Sequence, residues 1–358
     1  MAHLDPLLLR MIENHASDLH IVVGQRPKFR VHGEVTPVDD YPELDEETVR
    51  EWMFELVSPE QRERYLSNKD FDFAYGIGET ARYRVNYFFQ RTGFGAVFRI
   101  IPFEIATIEE LNLPPVLRKL AALRGGLVLV TGPTGSGKST TLAAIIDLIN
   151  KTQRRHIVTI EDPIEFLHRN DQSIITHREI GEHTKDFASA LRGVFRQDAD
   201  VVLVGEMRDL ETISLALSAA ATGTLVYGTL HTNSAAKTID RIIDVFPSDQ
   251  QEQIRIMLSE SIKAIVAQQL LRKPGGKGRV AVNEILLGSP ALSNLIREGK
   301  IEAIINLIQS GKASGMQTMD EGLERLVKQG AVDPEDAYIK ALDKRRFEQY
   351  VHHEPVLT

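Results

Sequence analysis

Between positions 132 and 140 the chain reads GPTGSGKST: Gly132, Pro133, Thr134, Gly135, Ser136, Gly137, Lys138, Ser139 and Thr140. A glycine, four residues and then Gly-Lys-Ser is a spacing with a mechanism behind it. Glycines let successive backbone N–H groups turn inward around phosphate oxygens, and the N-terminus of a following helix adds favourable partial charge. Lys138 is placed to reach the β- and γ-phosphates of a nucleoside triphosphate, and the Ser139 hydroxyl to ligate Mg²⁺. The bland alternative is a glycine-rich turn. The surroundings favour nucleotide binding, because apolar GLVLVT before the loop reads as a buried strand and KSTTLAAIIDLI after it as a helix.

Holding phosphate is not hydrolysis, which also needs a positioned water, a base and positive charge on the transferring group. Two acidic stretches are candidates. TIEDPIEF follows the strand-like HIVTI, so Glu161, Asp162 and Glu165 fall at a strand's C-terminal end, where open α/β sheets place ligands. VVLVGEMRD runs through four aliphatics to Gly205, then Glu206 and Asp209. Gly205 has no side chain to offer a metal, so the acid moves one position along. Glu206, with its extra methylene, suits a carboxylate acting on Mg²⁺ through water. The alternative is that these acids are merely solvated strand ends, and Asp162 before Pro163 can also serve only to shape a turn.

YGTLHTNSAAKTIDRIIDVFP places His231 at the end of another apolar strand. A lone histidine is more often structural. On the same sheet as a phosphate loop it could instead hydrogen-bond the γ-phosphate and report triphosphate against diphosphate. ARYRVNYFFQRTGFGAVFRI carries Arg82, Arg84, Arg91 and Arg99. Arg82 and Arg84 share one strand face. They read either as an exposed face or as arginine fingers reaching a nucleotide on a neighbouring subunit.

The elements that must position these residues fall into two halves. Residues 1–105 read as α+β: a short helix from Pro6, strand-like LHIVVG, KFRVHGEV and ARYRVNYFFQ, and a helical stretch from the N-cap candidate Asp45 through Leu66. Residues 106–118 contain Pro114-Pro115, which cannot lie inside a helix, and read as an interdomain linker. Residues 119–358 alternate apolar strands with helices, the signature of a mostly parallel sheet covered on both faces. After Pro247 the chain reads as helices apart from GRVAVNEILL.

Composition narrows the class. With 42% hydrophobic and 26% charged residues among 358, the chain is long and apolar enough for two or three soluble domains. Its 42 basic and 50 acidic residues give a net charge of −8, against a general nucleic-acid binder. The absence of cysteine excludes disulfides and Cys-based zinc sites and fits a reducing cytosol. The start, MAHLDPLLLRMIENHASDLH, is too short in apolar run for a signal peptide. Ile213–Leu230 is 18 residues without a formal charge, but Thr-Gly breaks it, so a buried helix, turn and strand fit better than a membrane span.

Taken together, GPTGSGKS, TIEDPIEF, VVLVGEMRD and GTLHTNSAAKTIDRIIDVFP resemble the Walker A loop, Asp box, Walker B and His box of the secretion ATPases of the type II secretion and type IV pilus superfamily. Within it, the N-terminal ASDLHIVVGQRPKFRVHGEV and the C-terminal ALSNLIREGK are most similar to the pilus retraction ATPases. Assembly ATPases of the superfamily insert a four-cysteine segment where QQLLRKPGGKGRVAVNEILL passes with a short turn, and usually carry extra N-terminal domains. One departure stands out: the C-terminal motif usually begins Ala-Ile-Arg-Asn, and here it is Ala291, Leu292, Ser293, Asn294.

The resemblance implies a RecA-like P-loop ATPase domain with a PAS-like N-terminal domain and a helical C-terminal extension. It implies a cytoplasmic hexameric ring, a homohexamer using ATP and Mg²⁺, with no membrane insertion of its own. It implies that the ring would act on an integral inner-membrane platform protein of the pilus and withdraw pilin. By residue, it implies that Glu165 or Glu161 activates water, that Glu206 stands on the metal side, and that His231 senses phosphate. Arg82, Arg84 and Arg99 would complete a neighbouring subunit's site. An accessory retraction ATPase is the alternative within the class.

Overall fold

The computed structural model describes residues 2–350 apart from His32, Glu79, Pro102, Phe103 and Lys277. The chain divides into two units, Met1–Glu104 with Asp162–Leu167, and Ile105–Glu161 with His168 onward.

In the first unit, α1 (Asp5–Glu13) leads to β1 (Asp18–Val22) and to a hairpin of β2 (Lys28–Val31) and β3 (Glu34–Pro37). Helices α2 (Glu46–Phe54) and α3 (Pro59–Asn68) follow, then β4 (Asp70–Ile77), β5 (Ala81–Gln90) and β6 (Gly93–Ile101). The Asp45 carboxylate caps α2 by accepting from the Thr48 amide at 2.8 Å. The helical stretch that the sequence pattern runs on to Leu66 is two helices. Ser58 and Gln61 form a reciprocal capping box, and Pro59 starts α3 where its missing N–H costs nothing. The strands make an antiparallel sheet in the order β3-β2-β1-β6-β5-β4. Period-two alternation sends Leu19, Ile21, Tyr83, Val85, Tyr87, Ala96 and Phe98 into one core. The other face carries a row set by register: Arg30 opposite Asp18, Asp18 opposite Arg99, Arg99 opposite Arg84.

In the second unit, α4 (Val116–Ala121) starts directly after Pro114-Pro115. From the stretch expected to link two domains, Ile108, Leu113, Val116 and Leu117 join an apolar layer of this unit. Then come β7 (Gly126–Thr131), α5 (Lys138–Thr152), β8 (His156–Glu161), β9 (Ile174–Glu179), α6 (Phe187–Val194), β10 (Val201–Val204), α7 (Leu210–Ala221), β11 (Leu225–Leu230), α8 (Ala235–Asp244) and α9 (Gln251–Ser261). The chain continues with β12 (Ile262–Arg272), β13 (Arg279–Leu287), α10 (Pro290–Arg297), α11 (Ile304–Ser310), α12 (Met319–Lys328) and α13 (Pro334–Lys340). Seven strands form one sheet in the order β13-β12-β7-β11-β10-β8-β9, parallel except for β13. Leu127 and Leu129 of β7 face one apolar layer and Val128 and Val130 the other, so both faces are covered. The sequence pattern reads the region of β12 as helical, and the structure makes it a strand. Among the described residues no helix is long and apolar enough to cross a membrane; Ile213–Leu230 is the end of α7, a turn and β11.

Candidate nucleotide site

Parallel pairing brings four strand ends to one edge of the second unit's sheet. Thr131 is level with Leu230, and Val204 with both Gly228 and Ile160. The phosphate loop after β7, His231 after β11, Glu206 after β10 and Glu161 ending β8 therefore share the edge where such sheets bind ligands. Because β11 lies between β7 and β10, His231 is interposed between the loop and Glu206.

The loop is built for phosphate. Gly137 takes φ 81°, a left-handed conformation that side chains resist, and serves as N-cap of α5. A Cβ on Gly132 would lie 2.2 Å from the Gln268 carbonyl oxygen, so only glycine fits there. Lys138 is buried, its Nζ donating to the Gly132 and Pro133 carbonyls at 2.8 and 3.1 Å. The Ser136 Oγ is buried inside the loop with no hydrogen-bond partner among the described residues. A buried hydroxyl without a partner, a lysine held on loop carbonyls and a helix N-terminus together fit a bound phosphate chain. Ser139 lies in the first turn of α5, half-buried.

Strand β10 delivers the acid as its sequence suggests, but the reason for Gly205 is steric. A Cβ at Gly205 would meet the Ile160 carbonyl oxygen at 3.1 Å and the Glu161 Cα at 3.3 Å. The strand end is pulled in by Gly205 N–H donating to Ile160 at 2.8 Å and by Thr229 Oγ1 donating to the Gly205 carbonyl at 2.5 Å. Glu206, half-buried, takes its contacts from the site itself. His231 Nε2 lies 2.7 Å from its Oε1, and the Arg208 guanidinium is hydrogen-bonded to the same oxygen. Burial pushes the Glu206 carboxyl up, but Arg208 and His231 outweigh it and hold it below the usual carboxylate range. His231 thus meets a protein carboxylate, a partner that its sequence position did not announce. Asp209, paired with Glu206 in the sequence reading, is the N-cap of α7: it accepts from the Thr212 amide at 2.8 Å and the Thr212 hydroxyl at 2.7 Å.

The remaining candidates are split between the units. Glu161 is buried at the end of β8, while the Asp162–Pro163 peptide is cis and Asp162–Leu167 group with the first unit. There Arg84 Nη1 lies 3.6 Å from the Glu165 carboxylate and Arg84 Nε 4.0 Å from Asp72. Arg99 donates to buried Asp18 at 2.8 Å. Arg82 lies two residues before Arg84 on the same face of β5.

Three buried polar residues escaped the sequence reading. Gln268 of β12 and Asn283 of β13 lie behind the phosphate loop. The Glu284 carboxylate accepts the amide N–H of Ala235 at 2.7 Å and that of Met319, the first residues of α8 and α12. Each interrupts an apolar strand sequence, which is the signal that could have found them. The departure in the C-terminal motif is also accommodated: Ser293 of α10 donates to the Ser259 carbonyl of α9 at 2.6 Å, and Leu292 is fully buried.

Residues 1–339 match the family model described as type II/IV secretion system protein. The chain belongs to that family. Among its relatives, a twitching motility protein of Neisseria gonorrhoeae is 52% identical over 88% of this chain and 84% of its own length. The type IV pilus retraction ATPase PilT of Pseudomonas aeruginosa is 48% identical over 94% of this chain and 97% of its own. The pilus ATPase PilU of the same organism is 43% identical over 94% of the chain and 88% of its own length. A crystal structure of the pilus retraction motor PilT with bound ADP superimposes with a TM-score of 0.89 at 44% identity, covering 98% of this chain and 99% of that one. Family membership and a RecA-like ATPase fold with an N-terminal domain, both expected from the four motifs, therefore hold.

Proposed function

We propose that this protein is the ATP-driven motor of type IV pilus retraction. The observation that carries the reading is its nearly end-to-end match to a retraction ATPase, together with the loop, Glu206 and His231 at one sheet edge. Lys138 would hold the β- and γ-phosphates, and Ser139 and Glu206 would hold Mg²⁺. Bound Mg–ATP supplies the phosphoryl group and neutralises its charge. Lys138 gives up the Gly132 and Pro133 carbonyls to turn to phosphate.

Of the two Asp-box acids, Glu165 is favoured as the group that takes the proton of the attacking water, since its side chain is 35% exposed and Glu161 is buried. His231 acts through Glu206: its Nε2 orients the carboxylate that would serve the metal. Arg82, Arg84 and Arg99 act on the site of a neighbouring copy in a homohexameric ring. Their support is the cross-strand register that lines Arg84 up with Arg99 and leaves Arg82 on the same face. The ring works on an inner-membrane platform protein of the pilus from the cytoplasmic side.

The test is a deletion strain. Loss of the gene leaves hyperpiliated cells that do not twitch. Bald cells would contradict retraction and support an assembly role. Hyperpiliated cells that still retract pili at near-normal force would indicate an accessory retraction ATPase.

A further inference from the structure

The phosphate loop rests on a side chain from a strand that the nucleotide motifs do not include. Gln268 is 1% exposed, and the pairing of Ala267 with Thr131 sets it beside the first residue of the loop. It touches the loop in three places. Its backbone carbonyl occupies the space that a Cβ on Gly132 would need, and its Nε2 lies under Gly137, 3.1 Å from a Cβ built there. The same Nε2 donates to the Ser136 carbonyl at 2.7 Å.

The direction of that amide is fixed from behind. Gln268 Oε1 accepts from the Thr141 hydroxyl at 2.8 Å and from Asn283 Nδ2 at 2.9 Å, so Nε2 has only the loop to face. The Asn283 backbone is anchored by its place opposite Gln268 in the β12–β13 ladder and by its backbone carbonyl, which accepts from Gln317 Nε2 at 2.6 Å. A carbonyl held inward at Ser136 turns its peptide plane. The N–H groups that follow it are then aimed outward before any phosphate arrives.

We infer that Gln268 is a positioning residue for nucleotide binding, with Asn283 setting its orientation. The inference rests on the phosphate-site reading above. It assigns to β12 and β13 the preorganisation of a loop whose motif lies more than a hundred residues earlier.

The full-length protein tests this with two variants. Gln268→Met keeps length and volume and removes the donor. Asn283→Asp touches no loop atom and removes the fixed Nδ2 donor, so Gln268 Oε1 loses the partner that holds its amide in one direction. Titration calorimetry with Mg–ADP reads affinity. Hydrogen exchange of residues 135–138 in the nucleotide-free protein reads loop order. Both variants are expected to bind ADP about tenfold more weakly, the worth of one buried hydrogen bond. They should also exchange faster at the loop amides and raise KM for ATP more than they lower kcat. Should Gln268→Met fail to fold, Asn283→Asp and Thr141→Val carry the same expectation in smaller measure. ADP affinity and loop exchange within twofold of wild type, in variants that merely melt lower, would overturn the inference. A wild type that binds no ADP would instead sink the phosphate-site reading, and the inference with it.

Discussion

Gly205→Ala separates two explanations of an acid that stands one residue late. If the glycine is only a missing ligand, a methyl there is harmless. The structure says otherwise: the added carbon would sit 3.1 Å from the Ile160 carbonyl oxygen, 3.3 Å from the Glu161 Cα and 3.5 Å from its Cγ. The first two separations are tighter than a methyl tolerates by ~0.3 Å, and the obstacles are backbone atoms of a buried strand that cannot swing aside. The end of β10 must therefore back away from β8, stretching the 2.8 Å bond from the Gly205 amide to Ile160 and carrying Glu206 with it.

Overpacking of this kind costs about 1–3 kcal/mol. At about 2–4 °C per kcal/mol for a domain of this size, the melting point falls by roughly 2–12 °C. A few tenths of an ångström at a catalytic carboxylate costs roughly threefold to tenfold in kcat, given that 1 Å costs about a hundredfold. Gly205→Asp, which restores an acid at the first position after the strand, suffers the same contact and does not rescue activity. The assays are differential scanning fluorimetry without nucleotide and steady-state ATP hydrolysis. A Gly205→Ala protein that melts and turns over like wild type would refute the steric account.

The other predictions concern four carboxylates, Glu206, Glu284, Glu165 and Glu161. A double-mutant cycle of Glu206→Ala and His231→Ala, read by thermal unfolding, should give a coupling energy of about 0.5–3 kcal/mol; additive losses would mean that the 2.7 Å contact is idle. Glu206 is held below the usual carboxylate range, so its stabilisation is present above the unfolded pKa near 4.5 and is lost as pH falls through the folded value. Wild type should lose more stability than Glu206→Gln on acidification across that window, and parallel curves would contradict the pairing. Glu284 runs the other way: burial raises its pKa, so the folded state binds the proton more tightly and stability falls as pH rises from 4.5 through the folded value. Glu284→Gln should flatten that part of the wild-type curve. Glu284→Ala, which leaves the first amides of α8 and α12 without their acceptor, should cost about 2–4 kcal/mol by urea denaturation. Glu165→Gln should abolish ATP hydrolysis with ADP affinity retained, whereas Glu161→Gln should act mainly on stability. The reverse pattern would move the base to Glu161.

What the sequence made legible follows from how local each signal is. The phosphate loop, the four apolar strands around it and the Asp45 cap are written in contiguous residues, and each is where its pattern puts it. Strand β12 was not legible because α9 ends at Ser261 and the strand begins at Ile262, with no glycine or proline between them. An apolar run without punctuation reads equally well as helix. Missing that strand also hid Gln268. The break at Ser58 was legible in Ser-Pro-Glu-Gln, a capping-box spacing masked by continuous helical periodicity on both sides. The partnership of His231 and Glu206 depends on strand order. Two residues 25 apart meet because β11 lies beside β10, which no local pattern reveals. In the sequence Gly205 stands out only for the ligand it lacks; its steric reason lies in Ile160 and Glu161, which the fold places next to it.

The central claim is that these strand ends form an ATP-hydrolysing site. Phosphate release by the purified full-length protein with Mg–ATP tests it most directly, set beside Lys138→Ala and Glu206→Ala. The account predicts steady turnover in the wild type and loss of it in both variants, with folded protein in each case. Equal phosphate release by all three would contradict it.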